Sequence, residues 1–93
     1  MSAQAPTRIV VVDDHALVRD AVRRALTVDD LEVVGEAATA EEAVSLVREI
    51  EPDVILLDID LPNASGMEII PELRSRLPGA KIVILTVSSH HRD

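Results

Sequence analysis

The sequence predicts an α/β fold with a doubly wound parallel sheet, and three observations carry that expectation. Short aliphatic runs without period-two alternation recur near residues 8–12, 53–58 and 81–86, as expected of strands covered by helices on both faces. Between them, apolar residues return at the spacing of amphipathic helices. The joints are short turns, with no linker, repeat or low-complexity segment, so strand and helix alternate as in sheets wound by right-handed crossovers.

Residues 1–7, small and polar with a proline, read as a flexible leader. Arg8-Ile9-Val10-Val11-Val12 is the first strand and ends on Asp13-Asp14. Residues 15–27 are helical, with Leu17, Val18, Ala21, Val22, Ala25 and Leu26 toward the core and Arg19, Asp20, Arg23 and Arg24 toward water. Asp14 is the expected cap of this helix, with Asp13 beside its positive end. After a turn, residues 31–36 alternate as an edge strand does. Thr39-Ala40-Glu41-Glu42 is a capping box, and the helix it opens runs to about Ile50 on a stripe of Ala40, Ala43, Val44, Val47 and Ile50. Pro52 marks its end, and residues 53–58 form the third strand. Residues 61–66 have turn chemistry, with Pro62 and Gly66 as turn formers. Residues 67–77 are helical, and Pro71 predicts a kink or a late start. Pro78-Gly79 stops that helix, Lys81-Ile82-Val83-Ile84-Leu85-Thr86 is the fourth strand, and residues 87–93 are a polar tail. Only one of the two layouts open to such a chain places the second strand outside the first and the third beside it. The edge character of 31–36 favours that layout, a flavodoxin-like sheet of order 2-1-3-4.

Composition sets the outer limits. At 93 residues the chain is one domain at most, with residues 8–93 in it. Without Phe, Tyr or Trp the core is aliphatic, and nothing can stack on a nucleic-acid base. A net charge of −8 argues against direct nucleic-acid binding. No cysteine means no disulfide framework and no thiolate chemistry. No apolar run is long enough to span a membrane and residues 1–7 do not resemble a signal peptide, so the expected location is cytoplasmic.

The chemistry concentrates around Asp53-Val54-Ile55-Leu56-Leu57-Asp58-Ile59-Asp60-Leu61-Pro62. Asp58 surfaces where a buried strand ends, and a charge there is costly unless paired. In the 2-1-3-4 layout Asp13, Asp14 and Asp58 emerge at one lip of the sheet, on strands about 5 Å apart. Two negative charges at that spacing repel by roughly 3 kcal/mol at an effective dielectric near 20. Oxygen ligands without Cys or a His cluster point to Mg²⁺, leaving one carboxylate as a nucleophile toward phosphorus. Thr86 would end the neighbouring strand with its hydroxyl in reach of a phosphoryl oxygen. Each feature has a plainer account: helix capping for Asp13 and Asp14, β propensity for Thr86. His15 reads as an exposed first-turn residue, and His90 and His91 as part of the tail, rather than as metal ligands.

Val12-Asp13-Asp14 after the first strand, Leu57-Asp58-Ile59-Asp60-Leu61-Pro62 through Gly66 after the third, and Leu85-Thr86 after the fourth resemble the response regulator receiver domain of two-component signalling. The resemblance extends from Arg8 to about Ser89. It implies that Asp58 is the phosphoacceptor, that Asp13 and Asp14 help hold Mg²⁺, that Asp60 offers its backbone carbonyl to the metal, and that Thr86 is the switch hydroxyl. His15 and the 31–37 segment are similar to the subfamily whose receivers precede a helix-turn-helix DNA-binding domain. Receivers of this kind continue through a further helix, a fifth strand ending near an essential lysine, and a last helix. The only lysine, Lys81, starts the fourth strand and is expected at the opposite end of the sheet from Asp58. The chain therefore reads as a receiver truncated before its fifth strand. Val87 stands where the family often has something smaller.

Three functions follow as expectations. The first is a signalling module that takes a phosphoryl group from a histidine kinase onto Asp58 with Mg²⁺ and loses it slowly to water, without being a turnover enzyme, and that controls a transcriptional output domain. A second is a Mg²⁺ phosphohydrolase, because Asp58-Ile59-Asp60 also resembles the nucleophile-x-acid signature of haloacid-dehalogenase-like phosphatases. A third is a phosphorylation-independent interaction module. With no fifth strand, the fourth becomes an apolar edge, which predicts a homodimer or swapped oligomer.

Overall fold

The structure, a computed structural model, describes residues 5–28, 30–61 and 64–85. The elements run β1 (Thr7–Val12), α1 (Ala16–Ala25), β2 (Leu31–Ala37), α2 (Ala40–Ile50), β3 (Val54–Asp58), β4 (Asp60–Leu61), β5 (Ala64–Ser65), α3 (Gly66–Arg76) and β6 (Lys81–Leu85). The β-branched and aliphatic runs pair as a parallel sheet of order β2-β1-β3-β6. This is the predicted 2-1-3-4 order with β6 as the fourth strand.

Side chains alternate between the two faces of each strand. Val10 and Val12 of β1 lie beside Ile55 and Leu57 of β3, and all four are buried in one cluster with Val47 of α2 and Leu73 of α3. Ile9 and Val11 turn to the other face, where α1 touches β1, and are buried as well. A register shift between Ile9 and Val10 sets Gly35 opposite Val10. A Cβ on Gly35 would stand 2.8 Å from Ile50 Cδ1 and 2.9 Å from Leu46 Cδ2, so glycine lets α2 lie close on the sheet. At the amino-terminal rim, the Arg8 guanidinium donates to the carbonyls of Ile50 (2.9 Å) and Glu51 (3.2 Å). The Asp53 carboxylate accepts from the Arg8 backbone N–H.

Three expectations need correcting. The apolar stripe of α1 is not core: none of its residues is buried and Leu17 is 84% exposed, while Val18 and Val22 are half-buried. Among the described residues no second helix lies on that face of the sheet, so α1 has no lateral neighbour to close over it. For the same reason Val54 and Leu56 of β3 are only half-buried. Residues 61–66 are more than a turn, because β4 and β5 pair antiparallel, Asp60 with Ser65 and Leu61 with Ala64. Of the kink or late start expected from Pro71, the late start does not occur: the helix begins at Gly66 and holds Pro71 inside it. Pro62, Thr86, His90 and His91, the rest of the tail and residues 1–4 of the leader lie outside the described residues. No helix among the described residues is long and apolar enough to cross a membrane.

Candidate functional site

Strand register builds the site. Val12 pairs with Leu57, so Asp13 and Asp58 are the residues that leave β1 and end β3 side by side at the carboxyl edge of the two central strands. Both are buried, Asp13 fully and Asp58 at 3% exposure. Buried carboxylates need compensation. Asp13 receives part of it from the start of α1, where its Oδ1 accepts the His15 backbone N–H at 2.8 Å and lies 3.1 Å from His15 Nδ1. Asp13 Oδ2, equally buried, has no hydrogen-bond partner among the described residues.

The cap expected from Asp14 is not made. His15 occupies the N-cap position of α1 without a side-chain cap bond. Asp13, not Asp14, accepts the N–H of His15 itself, the residue before the first turn of α1. The reason is directional: Asp13 is still fixed by the sheet, its N–H bonded to the Ala37 carbonyl at 2.9 Å, so its side chain is aimed along the turn. Asp14 instead stands beside the imidazole, its Oδ1 3.1 Å from His15 Nδ1. One donor atom from each of Asp13, Asp14, His15 and Asp58 falls within 4.8 Å of the others.

The positive side of the site is supplied from α1. Arg19 Nη1 donates to the Asp13 carbonyl at 2.6 Å, and its Nε meets Glu36 Oε1 at 3.2 Å. Arg23 Nε reaches Glu36 Oε2 at 2.8 Å. These contacts tie the first turns of α1 to β2 and fix the direction in which Asp13 leaves β1. His15 holds its proton above the ordinary 6.5, first through the hydrogen bond to Asp13 and then through the charge of Asp14; desolvation opposes this, and the charges of Asp13 and Asp58 add smaller contributions.

The predicted acids Asp13, Asp14 and Asp58 are therefore brought together. Asp60 has its backbone in β4, just past Asp58. Thr86 follows Leu85, the β6 partner of Asp58 in the register, but itself lies outside the described residues. Lys81 pairs with Val54 at the far end of β3, as expected. His15, expected as an exposed first-turn residue, is exposed at the N-cap of α1, and its ring also stands with the acids.

A parallel sheet wound on both faces, with an acid cluster where its central strands end, defines a doubly wound α/β domain with its site at the topological switch point. Residues 9–93 match the response regulator receiver domain model, and the chain belongs to that family. It is 37% identical to the nitrate/nitrite response regulator protein NarL of Escherichia coli K12, covering 100% of this chain and 44% of NarL. It is 43% identical to the response regulator GacA of Pseudomonas viridiflava, over 86% of this chain and 38% of that protein. The chain thus spans less than half the length of these relatives. Among solved structures it is similar to a two-component response regulator of the LuxR family from Aurantimonas sp. SI85-9A1, with 39% identity, a TM-score of 0.82, and coverage of 94% of this chain and 61% of that one. The response regulator domain of Thermotoga maritima CheB gives 30% identity and a TM-score of 0.83 over 95% of this chain and 65% of that one. Receiver domains of response regulators are signalling domains rather than turnover enzymes.

Proposed function

We propose that Asp58 accepts a phosphoryl group from the phosphohistidine of a histidine kinase, and that the modified domain controls a transcriptional output. The convergence of Asp13, Asp14 and Asp58 at the strand ends carries this reading. Their donor set is that of a hard cation: carboxylate oxygens, no thiolate, and in Asp13 Oδ2 a buried oxygen with no partner. Asp13, Asp14, Asp58 and the Asp60 backbone carbonyl would hold Mg²⁺, which supplies charge neutralisation at the transferred phosphoryl oxygens.

The chain's own residues do the rest. An Asp58 carboxylate oxygen attacks phosphorus, the new O–P bond forms as the P–N bond to the kinase imidazole breaks, and the imidazole leaves with the electron pair. Asp13 and Asp14 raise the local negative potential, so Asp58 reacts only with those charges neutralised. Thr86 would donate its hydroxyl to the acquired phosphoryl group and act as the switch. Relatives bearing the words response regulator and transcriptional regulatory protein support a transcriptional output. The phosphohydrolase alternative is not favoured, because the receiver family model extends over residues 9–93.

Incubation of the chain with a small phosphoryl donor and Mg²⁺ should give an acid-stable, alkali-labile label. That label is expected to vanish in Asp58→Asn. A label that survives in this variant overturns the assignment.

A further inference from the structure

We propose that His15 is a fourth side-chain donor in the acid cluster, so that the site takes a first-row transition ion such as Ni²⁺ or Co²⁺ through imidazole nitrogen as well as carboxylate oxygen. The proposal rests on the acid-site reading above and extends it from which residues hold a cation to which cations they hold.

The argument starts from spacing. His15 Nδ1 lies 3.1 Å from Asp13 Oδ1 and 3.1 Å from Asp14 Oδ1. Neighbouring donors on an octahedral ion with bonds of about 2.0–2.2 Å stand about 2.8–3.1 Å apart. The four donor atoms from Asp13, Asp14, His15 and Asp58 fit within a 4.8 Å span, which is compact enough for one ion. Without a metal, the ring proton shared with Asp13 and Asp14 holds these atoms together; a cation would take that proton's place.

A second observation points the same way. Asp13 is fully buried, yet its Oδ2 has no hydrogen-bond partner among the described residues. A buried carboxylate oxygen left without a partner is costly unless a cation meets it. Asp13 Oδ1, Asp14 Oδ1 and His15 Nδ1 all lie about one central point, where a single ion could meet them.

Donor chemistry then sets the selectivity. Carboxylate and carbonyl oxygen suit Mg²⁺, whereas imidazole adds much for Ni²⁺ and Co²⁺ and little for Mg²⁺. His15 should therefore separate the two kinds of ion, leaving Mg²⁺ binding nearly as it is and strengthening transition-ion binding.

The test is calorimetric titration of the untagged chain with Mg²⁺ and with Ni²⁺, in a background where His90 and His91 are alanine so that the tail adds no nitrogen donors. It is repeated in His15→Ala, His15→Gln and Asp58→Asn. Loss of a direct donor should exceed the lower limit seen for outer-shell partners, so His15→Ala should weaken Ni²⁺ by at least about tenfold. Mg²⁺ binding should stay the same or tighten. With Co²⁺, the His15 ring proton resonances should be paramagnetically shifted in the parent chain. If Ni²⁺ affinity is unchanged in both His15 variants, or if Mg²⁺ and Ni²⁺ weaken equally, the imidazole is not a donor and the proposal fails while the acid site stands. If neither ion binds, or Asp58→Asn leaves Mg²⁺ affinity unchanged, the acid-site reading fails and this one with it.

Discussion

The His15 imidazole stands at the mouth of a turn whose two preceding residues are aspartates, and in the metal-free protein it keeps its proton above pH 6.5 because Asp13 and Asp14 bond and attract the charged form. A folded value above the unfolded one means that protonation favours the native state. The contribution is fully present below the unfolded value of about 6.5 and is lost as pH rises through the folded value. Urea unfolding of the metal-free chain and of His15→Gln should thus differ most at acid pH and converge toward alkaline pH, and an NMR titration of the ring should give the raised midpoint directly. A stability gap that widens with rising pH would sink this account. The same turn shows where residue-level reading from sequence ends. Asp13 and Asp58 were placed together correctly because strand register decides it, and register follows from the aliphatic runs. The cap expected from Asp14 was not, because the bonding at this turn depends on which of two adjacent carboxylates the sheet aims along it.

Helix α2 shows how an element's ends are secured. Thr39 Oγ1 accepts the Glu42 N–H at 3.1 Å, and Glu42 Oε1 accepts the Ala38 N–H at 2.8 Å, a capping box displaced by one residue from its usual acceptor. At the other end the chain leaves through Glu51 in the left-handed region, with φ 55° and ψ 65°. For a residue with a Cβ that conformation costs about 1–2 kcal/mol, which glycine avoids at the expense of about 0.5–1 kcal/mol of extra unfolded-state entropy. Glu51→Gly should therefore stabilise the chain by about 0.5–1 kcal/mol, raising the melting temperature by a few degrees for a domain of this size. The carbonyls that Arg8 binds are backbone groups and survive the change. A lower melting temperature in this variant would mean that the Glu51 side chain does more than its backbone shows. Both ends of α2 were legible, from Thr39 and from Pro52, because caps and prolines act locally. The burial of α1 was not legible: its stripe is as regular as that of α2, but burial needs a neighbour, and periodicity says only which face wants one.

Across the whole molecule the parallel order β2-β1-β3-β6 follows from short connections and from the one strand whose pattern suits an edge. That order leaves two edges unlike each other. β2 is bordered by Glu41 and Glu49 of α2 around a hollow, and its own Glu36 is paired with Arg19 and Arg23. β6 has no acid in Lys81-Ile82-Val83-Ile84-Leu85, is bordered by Arg74 and Lys81, and pairs on one side only among the described residues. Val83 is 46% exposed on one face of this strand and Ile84 39% on the other. Unpaired N–H and C=O groups beside exposed aliphatic side chains are a template for another strand. The net charge of −8 opposes association at long range, but it is screened within about 10 Å at 0.1 M salt, the scale on which strands pair. The 93-residue chain should therefore self-associate through β6, with a mass by light scattering that rises above the monomer as protein and salt concentrations increase. Val83→Lys puts a charge on the exposed edge without touching the buried cluster, so it should return the chain to monomer and leave its melting curve in place. A parent chain that stays monomeric over the whole concentration range would show that β6 is protected by residues beyond Leu85.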